Sequence, residues 1–451
     1  MKILSLPQNA RFSNKEIFAF FLPILFENLM IAGLNIADTT MVSYVGESAV
    51  AGVSLVSRID TFVKQFMVAF AQGGSVVLAQ YIGAEDEKNA QNALKTNVKI
   101  VFAIGFLIMS LMIVFKSHVL SFLFGGAERD VIENSLLYFS YTAVSYPFFA
   151  LYNVGTASFR AVGETRIPFV AAVIMMIINL ILKYIFIFWL DMGTLGAAVS
   201  TLISVVIVGI TLIALLHTHY SKIRISGLFK PEFDTSLAKR ILGVSFPNGI
   251  ENGMFQLGAL AIAGLVSGLG TAAIAADALA RSVSPLIHSA GSAFSMALMV
   301  IVGQCMGAGD CDEAEMYAKH VLKIDYIFTF FNGLLLILFI NPLLNIFGVS
   351  DEAIAQAHDI LLLYTCGSML LYPSSFALPS ALRGSGDTKT VMMVSVLSMF
   401  VFRIGAAYIF VNLFRLGVIG TWVAMVSDWV IRGSFFWARF LHGKWKQNKV
   451  I

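Results

Sequence analysis

Chemistry-bearing residues are scarce in this chain. Its 451 residues include 3 cysteines and 7 histidines. Cys305 and Cys311 fall at the cytoplasmic end of one apolar run and Cys366 lies inside another, so no disulfide framework is expected. His217 and His219 form a close pair, but at the end of an apolar run they read as interfacial side chains rather than metal ligands. There is no Walker phosphate loop, no Ser/His/Asp constellation and no zinc-ligand spacing. ATP hydrolysis is therefore not expected, no catalytic residue, metal ligand or cofactor is assigned, and the chain is not read as an enzyme. Charge is short as well: 13% of residues are charged, against roughly a quarter in soluble domains. That excludes an ordinary soluble globule.

What fills the chain instead is apolar. Hydrophobic residues make up 58% of it, 38 of them phenylalanine, and the mean hydropathy is +0.82. A bilayer-spanning helix needs about 20 apolar residues. Twelve such runs lie near 17–44, 49–80, 93–115, 131–157, 167–190, 193–216, 241–267, 272–304, 318–340, 354–378, 390–412 and 416–440. The expected fold is an all-α, multi-pass membrane protein, with the lipid bilayer and small molecules as partners and no nucleic acid. An even number of spans puts both termini on one side. Basic residues crowd the loops of that side, among them Lys222, Arg224, Lys230, Lys239 and Arg240, whereas the opposite loops offer Lys116, Arg129 and Arg415. By the positive-inside rule both ends are cytoplasmic, in the cytoplasmic (inner) membrane, and the net charge of +3 reflects topology. Residues 1–14 are short and polar, so no cleavable signal peptide is expected.

The sequence also repeats itself at an offset of 224. Pro23, Glu27, Asn28 and Met30 return as Pro247, Glu251, Asn252 and Met254; Gly46 returns as Gly270; Gln80-x-x-Gly83-Ala84-x-Asp86 returns as Gln304-x-x-Gly307-Ala308-x-Asp310. Gly193 and Gly196 return as Gly417 and Gly420. This predicts two pseudo-symmetric six-helix lobes, 1–225 and 226–451, joined by a polar cytoplasmic linker near 218–239 that contains Gly227 and Pro231. Both lobes start from the same face, so the repeat is parallel, and such repeats place the working site at their interface near the midplane.

Charges inside the spans narrow the search, because each costs at least about 2.5 kcal/mol in hydrocarbon unless it faces protein or water. The count gives Glu27, Asp38, Asp60, Glu251, Asp277 and Asp428 against Arg58, Lys64, Lys183, Arg281, Arg403 and Arg432. Asp60/Lys64, Asp277/Arg281 and Asp428/Arg432 are spaced i, i+4 and are expected to pair on one helix face. At about 1.5 Å per residue, Asp38, Lys183 and Thr201 sit roughly 9–12 Å below the outer ends of spans one, five and six. Asn179 shares the face of Lys183 by i, i+4 spacing, and Arg58 lies close to the same layer. Glu27 and Glu251 each follow a helix proline by four residues, where a freed carbonyl allows bending. They read as acidic lining of a cleft that would attract cationic compounds, with Asp277 and Arg281 as further cleft candidates. Arg160 with Glu164, and Arg383 with Asp387, are expected to pair across two duplicated cytoplasmic turns permitted by Gly163 and Gly386.

Together, Pro23-x-x-x-Glu27-Asn28 running into Ala37-Asp38-Thr39, Gly46-x-x-Ala49-x-Ala51-Gly52, and the duplicated Gln-x-x-Gly-Ala and Arg160/Arg383 segments resemble the multidrug and toxic compound extrusion (MATE) transporters over essentially the whole chain. The resemblance implies a secondary antiporter that exports amphipathic, cationic drugs or metabolites against protons or sodium ions by alternating access, as a monomer. It also implies an ion-coupling set of Asp38, Asn179 and Thr201, with Lys183 standing where one branch of the family has a second aspartate. That departure disfavours sodium. Two like charges about 4 Å apart repel by roughly 4 kcal/mol at an effective dielectric constant near 20, so Lys183 can take the place of the coupling ion and form a tethered pair with Asp38, either as a switch or as a static brace. The proton is the favoured coupling ion. A lipid-linked precursor flippase of the same superfamily is the alternative, and a membrane-embedded enzyme a more distant one. At the repeat offset Asp38, Lys183 and Thr201 correspond to Ile262, Ala407 and Met425, so the first-lobe layer is expected to have no counterpart in the second.

Overall fold

The structure is a computed structural model. It describes the chain except residues 1–5, 8–9, 125–127, 219–224, 226, 229–233, 348 and 449, and except the side chains of residues 32–33, 35–40, 43 and 47. Among the described residues, twelve long helices follow one another. The first half contains α1 (Asn14–Ser43), α2 (Glu47–Gly83), α3 (Glu87–Phe124), α4 (Arg129–Ala161), α5 (Arg166–Trp189) and α6 (Gly193–Leu215). The second contains α7 (Thr235–Ser267), α8 (Thr271–Gly307), α9 (Cys311–Asn345), α10 (Asp351–Gly384), α11 (Thr388–Leu413) and α12 (Val418–Leu441). Among the described residues there is no strand, and 9 helices are long and apolar enough to cross a membrane. α1, α4 and α12 are not among those nine; α4 and α12 spend helix positions on buried polar groups such as Thr142 and Ser145, or Asp428 and Arg432. The linker near 218–239 lies largely outside the described residues, as does His219, while His217 Nδ1 meets the Ile213 carbonyl at 2.9 Å.

Burial separates core helices from lipid-facing ones, with the same pattern in each half. The apolar windows of α2 and α8 are 67% and 72% buried, those of α3 and α9 22% and 28%, and those of α5 and α11 both 28%. A half-exposed apolar helix is stable only where hydrocarbon replaces water, so Phe106, Leu107, Val114, Leu335 and Leu338 mark lipid-contacting faces. The helix starts are duplicated too. Asp86 caps α3 by accepting from Asn89 N at 3.0 Å, and Asp310 caps α9 by accepting from Glu313 N at 2.8 Å. The bonds from Asn89 hold the Asp86 carboxyl below its usual range.

Helix geometry accounts for the drift in the repeat. The halves are 224 apart as far as the turn after α2, 223 apart where 160–166 matches 383–389, and 224 apart again by Gly193/Gly417. α5 and α11 both end in a π-helical turn, Ile185–Trp189 and Ile409–Leu413, already back at 224. α11 has a further π segment, Ser398–Ile404, whereas α5 is α-helical throughout Arg166–Tyr184. A π-bulge accommodates an extra residue inside a continuous helix. The offset therefore grows by one within Ser398–Ile404.

Two compact units emerge, Phe26–Gly249 and Met1–Leu25 with Ile250–Ile451. The contiguous division at 225/226 thus describes the sequence repeat, and the compact units differ from it by exchanging the leading segments of α1 and α7. Both boundaries fall two residues beyond a helix proline, after Leu25 for Pro23 and after Gly249 for Pro247. The exchanged segments are tied locally. In the first unit named, Arg240 Nη1 donates to Tyr81 OH at 2.7 Å and Ser245 Oγ donates to the Phe70 carbonyl at 3.1 Å. In the other, Tyr317 OH donates to the Phe12 carbonyl at 2.9 Å, His320 Nε2 meets Asn14 Oδ1 at 2.7 Å, and Phe21 stacks on Phe294 at 3.9 Å.

Candidate functional site

In the first half, helical spacing puts Asn179 and Lys183 on one buried face of α5, and Thr201 and Ser204 on the facing side of α6. Asn179 and Lys183 are 4% and 2% exposed. Asn179 Nδ2 donates to Thr201 Oγ1 and to Ser204 Oγ, each at 3.2 Å. The two hydroxyls donate back to their own helix, to the Ala197 and Thr201 carbonyls at 3.1 and 3.0 Å, so only their lone pairs face Asn179. Asn179 Oδ1 is buried with no hydrogen-bond partner. The cluster is thus rich in oxygen acceptors, with the Lys183 ammonium one helical turn away. Asp38 lies on α1, but its side chain is outside the described residues. Arg58, expected near this layer, is exposed.

The cleft candidates are all ion-paired. Glu27 Oε2 accepts from Arg160 Nη2 at 2.6 Å, and its symmetry mate Glu251 Oε1 accepts from Arg383 Nη2 at 2.7 Å. Both acids are buried. The expected Arg160/Glu164 and Arg383/Asp387 pairs are therefore replaced. The left-handed Gly163 and Gly386 (φ 89° and 91°) turn the chain out of the helix before the acid, which removes the i, i+4 geometry. Asp387 accepts instead from Arg439 Nε at 2.7 Å. Asp277 does hold Arg281 at 2.6 Å and also accepts from Trp422 Nε1 at 2.9 Å. Asp60 holds Lys64 at 2.6 Å.

The expected Asp428/Arg432 pair is not formed. Ser398, from the additional π segment, donates to Asp428 Oδ1, and the Arg432 guanidinium lies over Phe376 at 4.4 Å and Phe255 at 5.3 Å. The second half carries no like-for-like copy of the first-half layer, since Lys183 corresponds to Ala407. At the 224 offset Asn179, Thr201 and Ser204 correspond to Arg403, Met425 and Asp428. Arg403 Nη2 contacts Met425 Sδ at 2.9 Å, so the α11–α12 contact is preserved while its chemistry has changed.

Other buried polar groups escaped the sequence reading. Ser204 was hidden because a serine on an apolar helix usually bonds its own backbone. Asp325, omitted from the count of intramembrane acids, is fully buried on α9, where Thr329 Oγ1 donates to its Oδ1 at 3.1 Å and its Oδ2 has no hydrogen-bond partner. His288 joins an aromatic group: its ring stacks on Tyr372 at 4.2 Å, its Nε2 bonds Tyr364 OH, and Trp429 lies 6.0 Å away. The signal for both was their position well inside a hydropathy-defined span.

Two helical lobes built on one repeat, with buried polar clusters in membrane-crossing helices, define a multi-pass membrane transporter. The MatE family model matches twice, over residues 23–185 and 247–409, and the chain belongs to this family of multidrug efflux transporters. Both ends of the two matches are 224 apart, as in the repeat. The chain is 27% identical over 442 residues to the probable multidrug resistance protein NorM of Thermotoga maritima, covering 97% of this chain and 94% of that one. It is 21% identical to the probable multidrug resistance protein YoeA of Bacillus subtilis, covering 96% and 94%. The fold matches that of a MOP superfamily transporter from Pyrococcus furiosus with a TM-score of 0.90 at 20% identity, covering 96% of this chain and 97% of that one; for that protein a reverse polarity of the binding pocket is described as suggesting a different function.

Proposed function

We propose that this protein exports amphipathic small molecules, cationic drugs or metabolites among them, across the cytoplasmic membrane in exchange for protons, by alternating access. It acts as a monomer with both termini in the cytoplasm. The observation that carries the coupling half of this reading is the buried Asn179/Thr201/Ser204 cluster with Lys183 on the same helix face. An acceptor-rich, water-poor site next to an ammonium favours a proton over sodium, because a second cation would meet the repulsion of Lys183. Asp38 is the proton carrier and Lys183 its tethered partner: protonation of the carboxylate weakens the pair, and deprotonation restores it. The relatives named for multidrug resistance support the drug-export half.

The test is transport in proteoliposomes with proton and sodium gradients imposed separately, on the wild type and on Asp38→Asn. A pH gradient alone is expected to drive export, and Asp38→Asn to abolish the coupling. Undiminished export by Asp38→Asn removes the coupling role. Unchanged drug sensitivity of a hypersensitive host, together with altered surface polysaccharide, would point to precursor flipping instead.

A further inference from the structure

The least satisfied charge among the described residues of the second half is Arg432. It is 2% exposed, on α12, and its Nε and Nη2 atoms are buried with no hydrogen-bond partner. Those two atoms form one edge of the guanidinium, the edge that presents two parallel N–H donors. One turn earlier on the same helix, Trp429 Nε1 is also buried and unbonded. Both side chains pack on Phe376, Arg432 at 4.4 Å and Trp429 at 5.5 Å. A further unbonded N–H belongs to Arg403 Nε, on α11.

The acids of this unit do not supply the missing partner. Asp277 is held by Arg281 and Trp422, Glu251 by Arg383, and Asp428 accepts from Ser398. Asp428 Oδ2 and Glu251 Oε2 are unbonded themselves and make no hydrogen bond to Arg432, although both acids lie near enough to attract it. Asp325 is engaged with Thr329. Asp428 and Asp325 match Arg403 and Arg432 in number, but neither acid hydrogen-bonds the open edge of Arg432. A buried guanidinium with its donor fork open is costly. Two phenyl faces offset that cost only in part.

We propose that the Arg432 edge is a carboxylate-binding subsite, and that its ligand is an amphipathic aromatic carboxylate, or a zwitterion carrying one. A planar carboxylate accepts the two parallel N–H bonds of the fork. Phe376 and Phe255 form the aromatic walls for the ligand body, and Phe255 is only partly buried. The proposal rests on the export reading and extends it from cations to substrates with an anionic group.

The test is calorimetric titration of the purified protein with 1-naphthoate and with 1-(aminomethyl)naphthalene, which share the aromatic body and differ in charge. The wild type is expected to bind 1-naphthoate the more tightly. Arg432→Gln should weaken 1-naphthoate at least tenfold without weakening the amine. Arg432→Lys, which keeps the charge but lacks the fork, should fall between. Wild-type preference for the amine overturns the proposal whether or not any variant folds, and so does equal 1-naphthoate affinity in the wild type and Arg432→Gln. Tighter binding of 1-naphthyl phosphate than of 1-naphthoate overturns the carboxylate assignment. Proteoliposome export separates the two readings: no gradient-driven movement of any probe speaks against export, whereas export of both probes insensitive to Arg432 speaks against the subsite alone.

Discussion

The two halves differ least where the backbone needs support and most where side chains meet inside the membrane. Glu27–Arg160 and Glu251–Arg383 are one ion pair made twice, at 2.6 and 2.7 Å, each just past the proline where the chain passes from one compact unit to the other. By contrast, the α5–α6 contact Asn179/Thr201/Ser204 has become Arg403/Met425/Asp428 between α11 and α12, neutral hydrogen-bonding groups giving way to charge and sulfur. The difference teaches that duplication preserved a scaffold of latches, caps and turns and released the buried polar positions to diverge. In the proposed reading the first half handles the coupling ion and the second half the substrate.

The largest test of the shared part is to break the latches. Removing one partner of a buried ion pair leaves an uncompensated charge and costs about 3–5 kcal/mol. Glu27→Gln and Glu251→Gln are each expected to lose about that much in detergent unfolding, with much of the loss recovered in Glu27→Gln/Arg160→Gln. A negligible cost in one half would show that the pairs are not equivalent. Next comes the inserted π segment. Deleting Val401 should restore a plain α-helix in α11 and leave a folded, membrane-inserted protein, because a π-bulge holds one residue more than the helix needs. Deleting Ile177 from the α-helical part of α5 should rotate Asn179 and Lys183 off their face and abolish export. Equal tolerance of the two deletions would refute the account of the offset.

Smaller effects sharpen the comparison. Ser204→Ala removes one acceptor of Asn179 and is expected to cost about 1 kcal/mol in thermal stability. At the turn after α2 the left-handed residue is Glu85 (φ 58°), and its counterpart after α8 is Gly309 (φ 78°). Gly309→Glu should therefore cost about 1 kcal/mol, while Glu85→Gly should change little, since strain relief is offset by greater freedom of the unfolded chain. Paired melting curves check both.

Much of this was legible in the sequence. Twelve apolar runs predicted twelve helices, Gly46, Gly163, Gly270 and Gly386 stand at positive φ in the turns, and Asn179 and Thr201 were placed in one layer from helical depth together with i, i+4 spacing. Long-range partners were not legible. Sequence spacing offers Arg160 the nearby Glu164, whereas the folded chain gives it Glu27, 133 positions away, because the glycine turn breaks the helical period that the i, i+4 rule assumes. At the same 224 offset Arg403 and Met425 stand where Asn179 and Thr201 do, but nothing in the sequence marks an arginine and a methionine as a contact.

The division of labour between the halves is tested most directly by measuring gradient-driven transport of one substrate, 1-naphthoate, in proteoliposomes containing Lys183→Asp or Arg432→Gln. The account predicts that Lys183→Asp shifts the ion dependence from protons towards sodium with little change in substrate half-saturation, and that Arg432→Gln raises half-saturation at least tenfold with proton dependence intact. Crossed effects, with Lys183→Asp changing substrate affinity and Arg432→Gln changing the coupling ion, would contradict it.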